Sequence, residues 1–382
     1  MRQMLSSGLR LTVLAGATIP TPLPPDLTAR LLSVRVQEDD GARSVFTLTF
    51  DAGRSGPIAA LDTPVLRPPL VPFARVTLVL TFAALPRVLF DGIITHLELT
   101  PGDGPGGATL TATGEDVSYL LDRREVDAEH PAMDDFVQVN QILTRYAAHR
   151  ILPMVIPPRV ADPPLPIERI PTQHGTDLAH LRELAGRHGY VCYVIPGPQT
   201  GASTFYWGPP VRSGVPQPAL SVDLGPETNV RSVRFRTDAL TPVLVEGELQ
   251  DPRTGTQMTV DTRGSLRPPL SSRPLWAAHA GDVRRRRLVR DSGTGAIGTF
   301  ARAQSLVDSG VDAVVAEGEA DGGRYGDVLR PRALVGVRGA GWSHDGHWYV
   351  RRVEHELAPG SYVQRFTLTR DGHGPTVPVV RP

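Results

Sequence analysis

Glu98-Leu99-Thr100-Pro101-Gly102, followed by Thr109-Leu110-Thr111 and Gly114, has a second version late in the chain. There Glu356-Leu357-Ala358-Pro359-Gly360 is followed by Thr367-Leu368-Thr369 and Gly372. The offset is 258 residues throughout. Each copy sits in one local pattern: an alternating run, a turn, a second alternating run, Pro-Gly and a third run. Alternation with period two marks strands with one buried face. A β-unit near each end predicts two similar sheet domains in one subunit. Pro101 and Pro359, and Leu110 and Leu368, should then occupy equivalent places. Two similar units per chain allow a ring with twice as many equivalent parts as chains.

Working outward, Leu32, Val34 and Val36 alternate with polar residues, Asp40-Gly41 offers a turn, and Phe46, Leu48 and Phe50 alternate back. This predicts a hairpin with one buried face. Residues 51–74 are rich in Pro and Gly and read as a loop. Val76, Leu78, Leu80 and Phe82 resume the alternation, and 88–99 and 108–113 complete a first β-domain, a barrel or sandwich within 1–115. Residues 116–215 differ. Phe136, Val139, Leu143 and Ala147 follow helical spacing behind Asp134 and Asp135, and a proline-dense stretch, 153–171, breaks the pattern. Thr176 or Asp177 caps a second helix carrying Leu178, Leu181, Leu184 and Ala185, with Gly189 as its stop. A hairpin over 190–195 and 204–207 completes a small α/β module.

Strands return within 216–372, at 230–236, 242–249, 311–318, 334–338, 348–357 and 362–368. Asp251 to Gly255 reads as a turn, 263–295 as loop, 297–309 as a helix, and 373–382 as an extended tail. The expected fold class is mainly β with an α+β insertion: two similar antiparallel β-barrel domains plus a small α/β module.

A chain of 382 residues, 40% hydrophobic and 21% charged, can bury real cores. Its formal net charge is zero, which argues against a general nucleic-acid binder or a basic membrane-surface protein. It holds no lysine, which rules out Schiff-base chemistry. Cys192 is the single cysteine, so no intrachain disulfide or thiolate cluster can form; it lies in an apolar run and reads as structural. No apolar run approaches a membrane span. Residues 11–20 are the one signal-like stretch, without a cleavage site, so a soluble protein made in the cytoplasm is expected.

Few residues invite chemistry. Ser343-His344-Asp345 has the residue types of a hydrolase triad, but adjacent residues cannot converge on one point, and Gly341-Trp342-Ser343 lacks the second glycine of a nucleophile elbow. The stretch reads as a hairpin tip. His344, His347 and His355 with Asp345 could be taken for a metal cluster, but neither they nor His174, His180 and His188 show helical i, i+4 pairing. Arg284 to Arg287 is the one dense basic run, a solvated loop or a contact for phosphate or an acidic neighbour. Gly318 to Gly326 lacks a Walker-type lysine. Trp342 and Trp348 could line a carbohydrate groove but read first as packing. We therefore expect no enzyme, no catalytic or metal residues and no cofactor.

Two sets of residues resemble a known family. Gln173-His174-Gly175-Thr176-Asp177-Leu178, Leu181, Leu184-Ala185, Gly189-Tyr190 and Tyr206-Trp207-Gly208 resemble the central module of phage late control protein D and related tail hub proteins. Ala316-Glu317-Gly318-Glu319, Gly322, Val328-Leu329-Arg330-Pro331, Val335-Gly336-Val337, Gly346, Tyr349-Val350, Val353-Glu354-His355 and Gly360-Ser361-Tyr362 look like the last domain of that family. The hairpin from Ser33 to Phe50 also fits. The resemblance implies a homotrimeric hub at the centre of a contractile-tail baseplate, its two tube-like domains per chain giving a pseudo-sixfold ring. Such a hub joins a hexameric inner tube to a trimeric spike, contacts other baseplate proteins, inserts in no membrane by itself and reads no nucleic-acid sequence. Type VI secretion spike proteins carry the same hub fused to a needle. This sequence stops at Pro382, so a separate spike protein is expected. The alternative is a tail-tip cell-wall or glycan hydrolase. The module at 116–210 should lie away from the channel, and threonines and charged residues of the repeated strands should face it.

Overall fold

The computed structural model describes residues 3–6, 8–17, 20–53, 65–102, 107–158, 170–250, 256–287 and 296–377. Its largest element is a 14-stranded sheet, to which two similar units contribute six strands each. The first unit comprises β1 (Leu9–Gly16), β2 (Leu31–Asp39), β3 (Val45–Asp51), β4 (Arg75–Phe82), β5 (Leu85–Thr100) and β6 (Thr109–Asp116). The second comprises β7 (Gln217–Ser221), β8 (Val230–Thr237), β9 (Val314–Asp321), β10 (Leu334–Arg338), β11 (Gly346–Ala358) and β12 (Ser361–Arg370).

Their order across the sheet is β1-β4-β5-β6-β3-β2 in the first unit and β7-β10-β11-β12-β9-β8 in the second. The two orders match strand for strand, with one difference in direction: β1 runs antiparallel to β4, whereas β7 runs parallel to β10. Their irregularities match too. The β5–β6 ladder shifts register between Ile94 and His96, and the β11–β12 ladder between Val350 and Arg352. The β2–β3 ladder shifts between Leu31 and Ser33, and the β8–β9 ladder between Val230 and Ser232. A bulge adds one unpaired residue and re-aims those beyond it, so matched bulges fix which residues correspond. Ile94 corresponds to Val350, Leu97 to Val353 and Leu99 to His355. Ser33-Val34-Arg35 corresponds to Ser232-Val233-Arg234, with the same three letters.

This corrects the expected repeat. Two similar β-units are present, but the quoted motifs are out of register. Glu98 corresponds to Glu354 rather than Glu356. Leu110 pairs with Leu99, whereas Leu368 pairs with Val350. Pro359 and Gly360 form a two-residue connection, while Pro101 opens a longer one. The first bulge also changes the reading of β2: Leu31 is buried and Leu32 exposed.

Alternation builds the first core from Leu9, Leu11 and Val13 of β1, Phe46, Leu48 and Phe50 of β3, and Leu78, Phe90 and Leu110. A second core gathers around Trp348, with Val350, Val353, Phe366 and Leu368. A third core belongs to the inserted module. Helices α1 (Asp135–Thr144) and α2 (Asp177–Arg187) pack Val139, Ile142, Leu181 and Leu184 against Phe205 and Trp207 of a three-stranded sheet. Asp134 caps α1 by accepting from the Val137 N–H at 2.8 Å, and Thr176 caps α2 by accepting from the Ala179 N–H at 3.2 Å. Ala147, expected within the first helix, lies beyond its end in a 3₁₀ turn.

Two expectations for the second unit fail. Residues 242–249 do not join the repeated sheet: Val243–Gln250 pairs with Gln257–Asp261 and Arg284–Arg287 in a separate three-stranded sheet under α3 (Ala296–Ser309). Arg284–Arg287 is therefore a strand, not a loop, because Val243 to Glu246 supplies a ladder for it. The tail begins as a strand as well, with Gly372–His373 paired to Arg273–Pro274. The expected turn at 251–255 and the end of the tail, 378–382, lie outside the described residues, as does much of the proline-dense stretch.

Candidate assembly surface

The two units meet along β2 and β11. Six antiparallel pairs run from Arg352 opposite Asp39 to Leu357 opposite Val34. Behind this seam lies a cluster that the sequence did not signal. His355 is fully buried, and Glu38 is 3% exposed. The Tyr362 hydroxyl lies 2.9 Å from His355 Nδ1. With that hydroxyl donating to Nδ1, the ring proton sits on Nε2 and faces Glu38 Oε2 at 3.7 Å. That distance is an electrostatic approach rather than a hydrogen bond, and neither atom has a hydrogen-bond partner. Arg330 stands at 3.7 Å from the same carboxylate and donates to the Leu89 and Val88 carbonyls. Burial pushes Glu38 up, but His355, Arg330 and Arg332 outweigh it and hold the carboxyl below its ordinary range. Burial pushes the His355 imidazole down, against the pull of Glu38.

The face of the sheet turned away from the cores carries a cross-strand row of charge. Gln37, Glu354, Arg365, Glu319 and Ser232 lie side by side on β2, β11, β12, β9 and β8. Arg35 reaches Glu354 at 3.2 Å, Arg365 reaches Glu356 at 2.5 Å and Glu319 at 3.4 Å, and Arg231 reaches Asp321 at 2.8 Å. Arg234 pairs with Glu317. Each exposed pair contributes only about 0–1 kcal/mol, so the row shapes the surface more than it stabilises the fold. On the first unit the corresponding positions are Thr111 and Thr49, with Thr113 and Thr47 beside them.

Two strand edges of this doubled sheet are open among the described residues. β8 pairs with β9 on one side only, and β5 pairs with β4 only up to Ile93. The remaining part of β5 corresponds to the part of β11 that holds β2. The exposures differ as that correspondence requires. Val34 and Val36 are 1% and 0% exposed, while their counterparts Val233 and Phe235 are half-buried. His355 is buried, whereas its counterpart Leu99 is 37% exposed.

The residues singled out for chemistry do not converge. Ser343, His344 and Asp345 form the connection between β10 and β11: the Ser343 carbonyl accepts from Arg370, the Asp345 carboxylate from the Ala340 N–H, and the His344 ring stacks on Phe235 at 4.1 Å. His347 lies on β11 and His355 in the seam. Among the described residues no group of three His, Cys, Asp or Glu side chains could hold a metal. His180 contacts Gln138 at 3.1 Å inside the module, His174 contacts Asp127 and His188 contacts Asp135. Trp348 is core, and Trp342 is 56% exposed beneath Arg273. Burial pushes the Cys192 thiol up to about 11. At pH 8 it should react with iodoacetamide about 100-fold more slowly than an unperturbed thiol, because only the thiolate attacks; a thiol titration at that pH measures it.

No family model matches the sequence, and no curated protein matches it either. Solved structures do. A tail protein from Neisseria meningitidis superposes with a TM-score of 0.63 at 14% identity, over 94% of this chain and 97% of that one. The 43 kDa tail protein of prophage MuSo2 from Shewanella oneidensis gives 0.64 at 13% identity, over 95% and 98%. A type VI secretion system component of E. coli, described as similar to the T4 tail proteins gp27 and gp5, gives 0.54 at 13% identity, over 92% and 78%. The doubled sheet with its inserted α/β module is thus similar in fold to these phage tail and type VI secretion proteins.

Proposed function

We propose that this chain is the structural hub of a contractile tail-like baseplate, closing as a ring of three copies that adapts a sixfold inner tube to a threefold spike. The observation that carries this reading is the pair of open edges. The β2–β11 seam joins the first unit to the second within a chain, and the same seam is available between β8 of one copy and β5 of the next. A contact between unlike surfaces is head-to-tail, and it closes into a ring when the rotation allows. The correspondence fixes the register. Phe235 stands opposite the neighbour's Leu99, Arg236 opposite Glu98, Thr237 opposite Leu97 and Asp238 opposite His96. Opposite charges face each other at Arg236 and Glu98, and apolar side chains at Phe235 and Leu99, as stable cross-strand pairs do.

Three copies supply six similar units, which is the number the resemblance to tail hubs implies. The row of threonines and ion pairs then lines the channel, and the inserted modules stand outside it. A lumen of this kind offers passing cargo no large apolar patch. Partners in this reading are the inner tube protein, the spike and other baseplate components, within a phage tail or a related injection particle. The role is mechanical, not catalytic. The test is mass in solution at micromolar concentration, by light scattering or native mass spectrometry. Three times the 41.2 kDa chain mass is expected; a monomer, or a symmetric dimer, overturns the ring.

A further inference from the structure

Phe73 is an aromatic residue in a left-handed backbone conformation, with φ of 65°, and it is 65% exposed. Glycine would hold that conformation at lower cost, so the ring is present for what it touches. Its counterpart in the second unit is Arg332, also at φ 65°. The hydrogen bonds confirm the match. The Phe73 N–H donates to the Ile94 carbonyl at 2.8 Å, and the Arg332 N–H to the Val350 carbonyl at 2.7 Å. The Ile94 N–H donates to Ala74, and the Val350 N–H to Ala333, both at 2.9 Å.

Arg332 is 5% exposed, held between the β2–β3 connection and the Tyr193 ring of the inserted module, which its guanidinium overlies at 4.3 Å. Its guanidinium donates to the Asp39 carbonyl and to Ser44 Oγ, and the Asp40 N–H donates to the adjacent Arg351 carbonyl at 3.0 Å. That covering turn has a counterpart after β8. Asp39 Oδ1 accepts from the Gly41 N–H at 2.9 Å, and Asp238 Oδ1 accepts from the Leu240 N–H at 3.0 Å. The two turns share one geometry but not one side chain, for Leu240 stands where the first has glycine and is 70% exposed.

We infer that the 238–240 turn of one copy covers Phe73 of its neighbour, with Leu240 against the Phe73 ring, as an apolar anchor at each closing seam. The inference rests on the ring reading and adds what holds the ring shut. The partner is a second copy of this chain, because the seam inside the chain already shows a turn of this geometry seated on a residue of this conformation. Where the internal contact uses a cation against backbone oxygen, the external one uses two apolar side chains. Phe73 lies against Tyr119 with ring centroids 6.4 Å apart, which steadies it as a platform. A few well-packed side chains commonly carry most of an interface's affinity.

The experiment uses full-length chains carrying either Phe73→Cys or Leu240→Cys, co-expressed, purified as assemblies and treated with a short bismaleimide. Wild type, with Cys192 alone, is the background. Cross-linked pairs are expected only when both variants are present, and the double variant should form covalent trimers. A cross-link in Phe73→Cys alone would mean a symmetric contact and overturn the inference. So would a trimer by mass with no cross-link in the mixed sample, and in that case the ring reading would stand. A wild type that is not a ring removes both. As a second measurement, Phe73→Ser should raise the concentration at which the ring half-dissociates at least tenfold and leave the subunit's melting temperature unchanged; an unchanged half-dissociation concentration counts against the anchor.

Discussion

Leu99→Asp will turn the ring into separate subunits without lowering the melting temperature of the subunit. Leu99 is 37% exposed on the open half of β5 and stands outside the buried first core. Its counterpart His355 shows how completely the position is covered once a neighbouring strand arrives. Burying a leucine side chain contributes about 1.5–3 kcal/mol. An aspartate there loses that and must also be desolvated or protonated, at a cost of roughly 2 kcal/mol or more. The contact occurs at every seam, so a ring of three loses it three times, and dissociation should become complete at micromolar concentration. Light scattering with thermal unfolding checks both halves. A trimer that survives would show the register between copies to be wrong. Charge exchange offers a check by gain: Glu98→Arg or Arg236→Glu alone should weaken the ring, and the two together should restore it.

A second large effect is expected at the seam within the chain. Glu38→Thr leaves His355 and Arg330 beside an empty, buried acceptor position, and loss of one member of a buried charged cluster costs about 3–5 kcal/mol. Glu38→Thr with His355→Leu should recover most of that loss. Thr237 and Leu99 hold the corresponding positions on the two open strands, the places that would meet in the proposed ring. Well-packed apolar replacements of buried ionic groups are often neutral or stabilising. Guanidinium unfolding at pH 7 reads these differences, and a double variant no more stable than Glu38→Thr would sink the idea.

The same double variant should flatten the acid side of the stability profile. The folded state holds His355 below the ordinary imidazole range, so the unfolded chain takes up that proton first as pH falls below about 6.5, and the fold weakens. Glu38 is also held low: its contribution is present above its unfolded value near 4.5 and is lost as pH falls through the folded one. Both act in one direction. Asp40 acts in the other, because burial raises it to about 6, so its proton favours the fold between about 4 and 6. Asp40 remains in both proteins. The wild type should therefore lose more stability than the double variant between pH 7 and pH 4, and equal slopes would show that the cluster does not titrate with folding.

The sequence by itself determined the local pieces. Alternating Phe46, Leu48 and Phe50 make a strand with one wet face wherever they are placed, and Asp134 and Thr176 cap helices through bonds within a few residues. The motifs from which two similar units were expected do not occupy equivalent places, so that expectation rested on a chance match. The tertiary structure alone decided the register of the two units. Matching letters at 98 and 356 pointed to one alignment, while bulges at Ile94 and Val350, visible only in the pairing, fixed another. Ser33-Val34-Arg35 and Ser232-Val233-Arg234 are the better match, but three letters are too few to stand out. Their flanks have diverged because β2 is covered within the chain whereas β8 is left open. The Glu38 and His355 cluster was illegible for a related reason. Glu38 belongs to no motif, nothing in the run Val353-Glu354-His355 points to it, and the two are brought together by a ladder between strands more than 300 residues apart. Arg284 to Arg287 became a strand because a neighbouring edge offers hydrogen bonds, which no periodicity in four identical residues can announce. Side-chain pattern fixes which residues prefer to be buried; which backbone edge meets which is settled only when distant strands compete for the same hydrogen bonds.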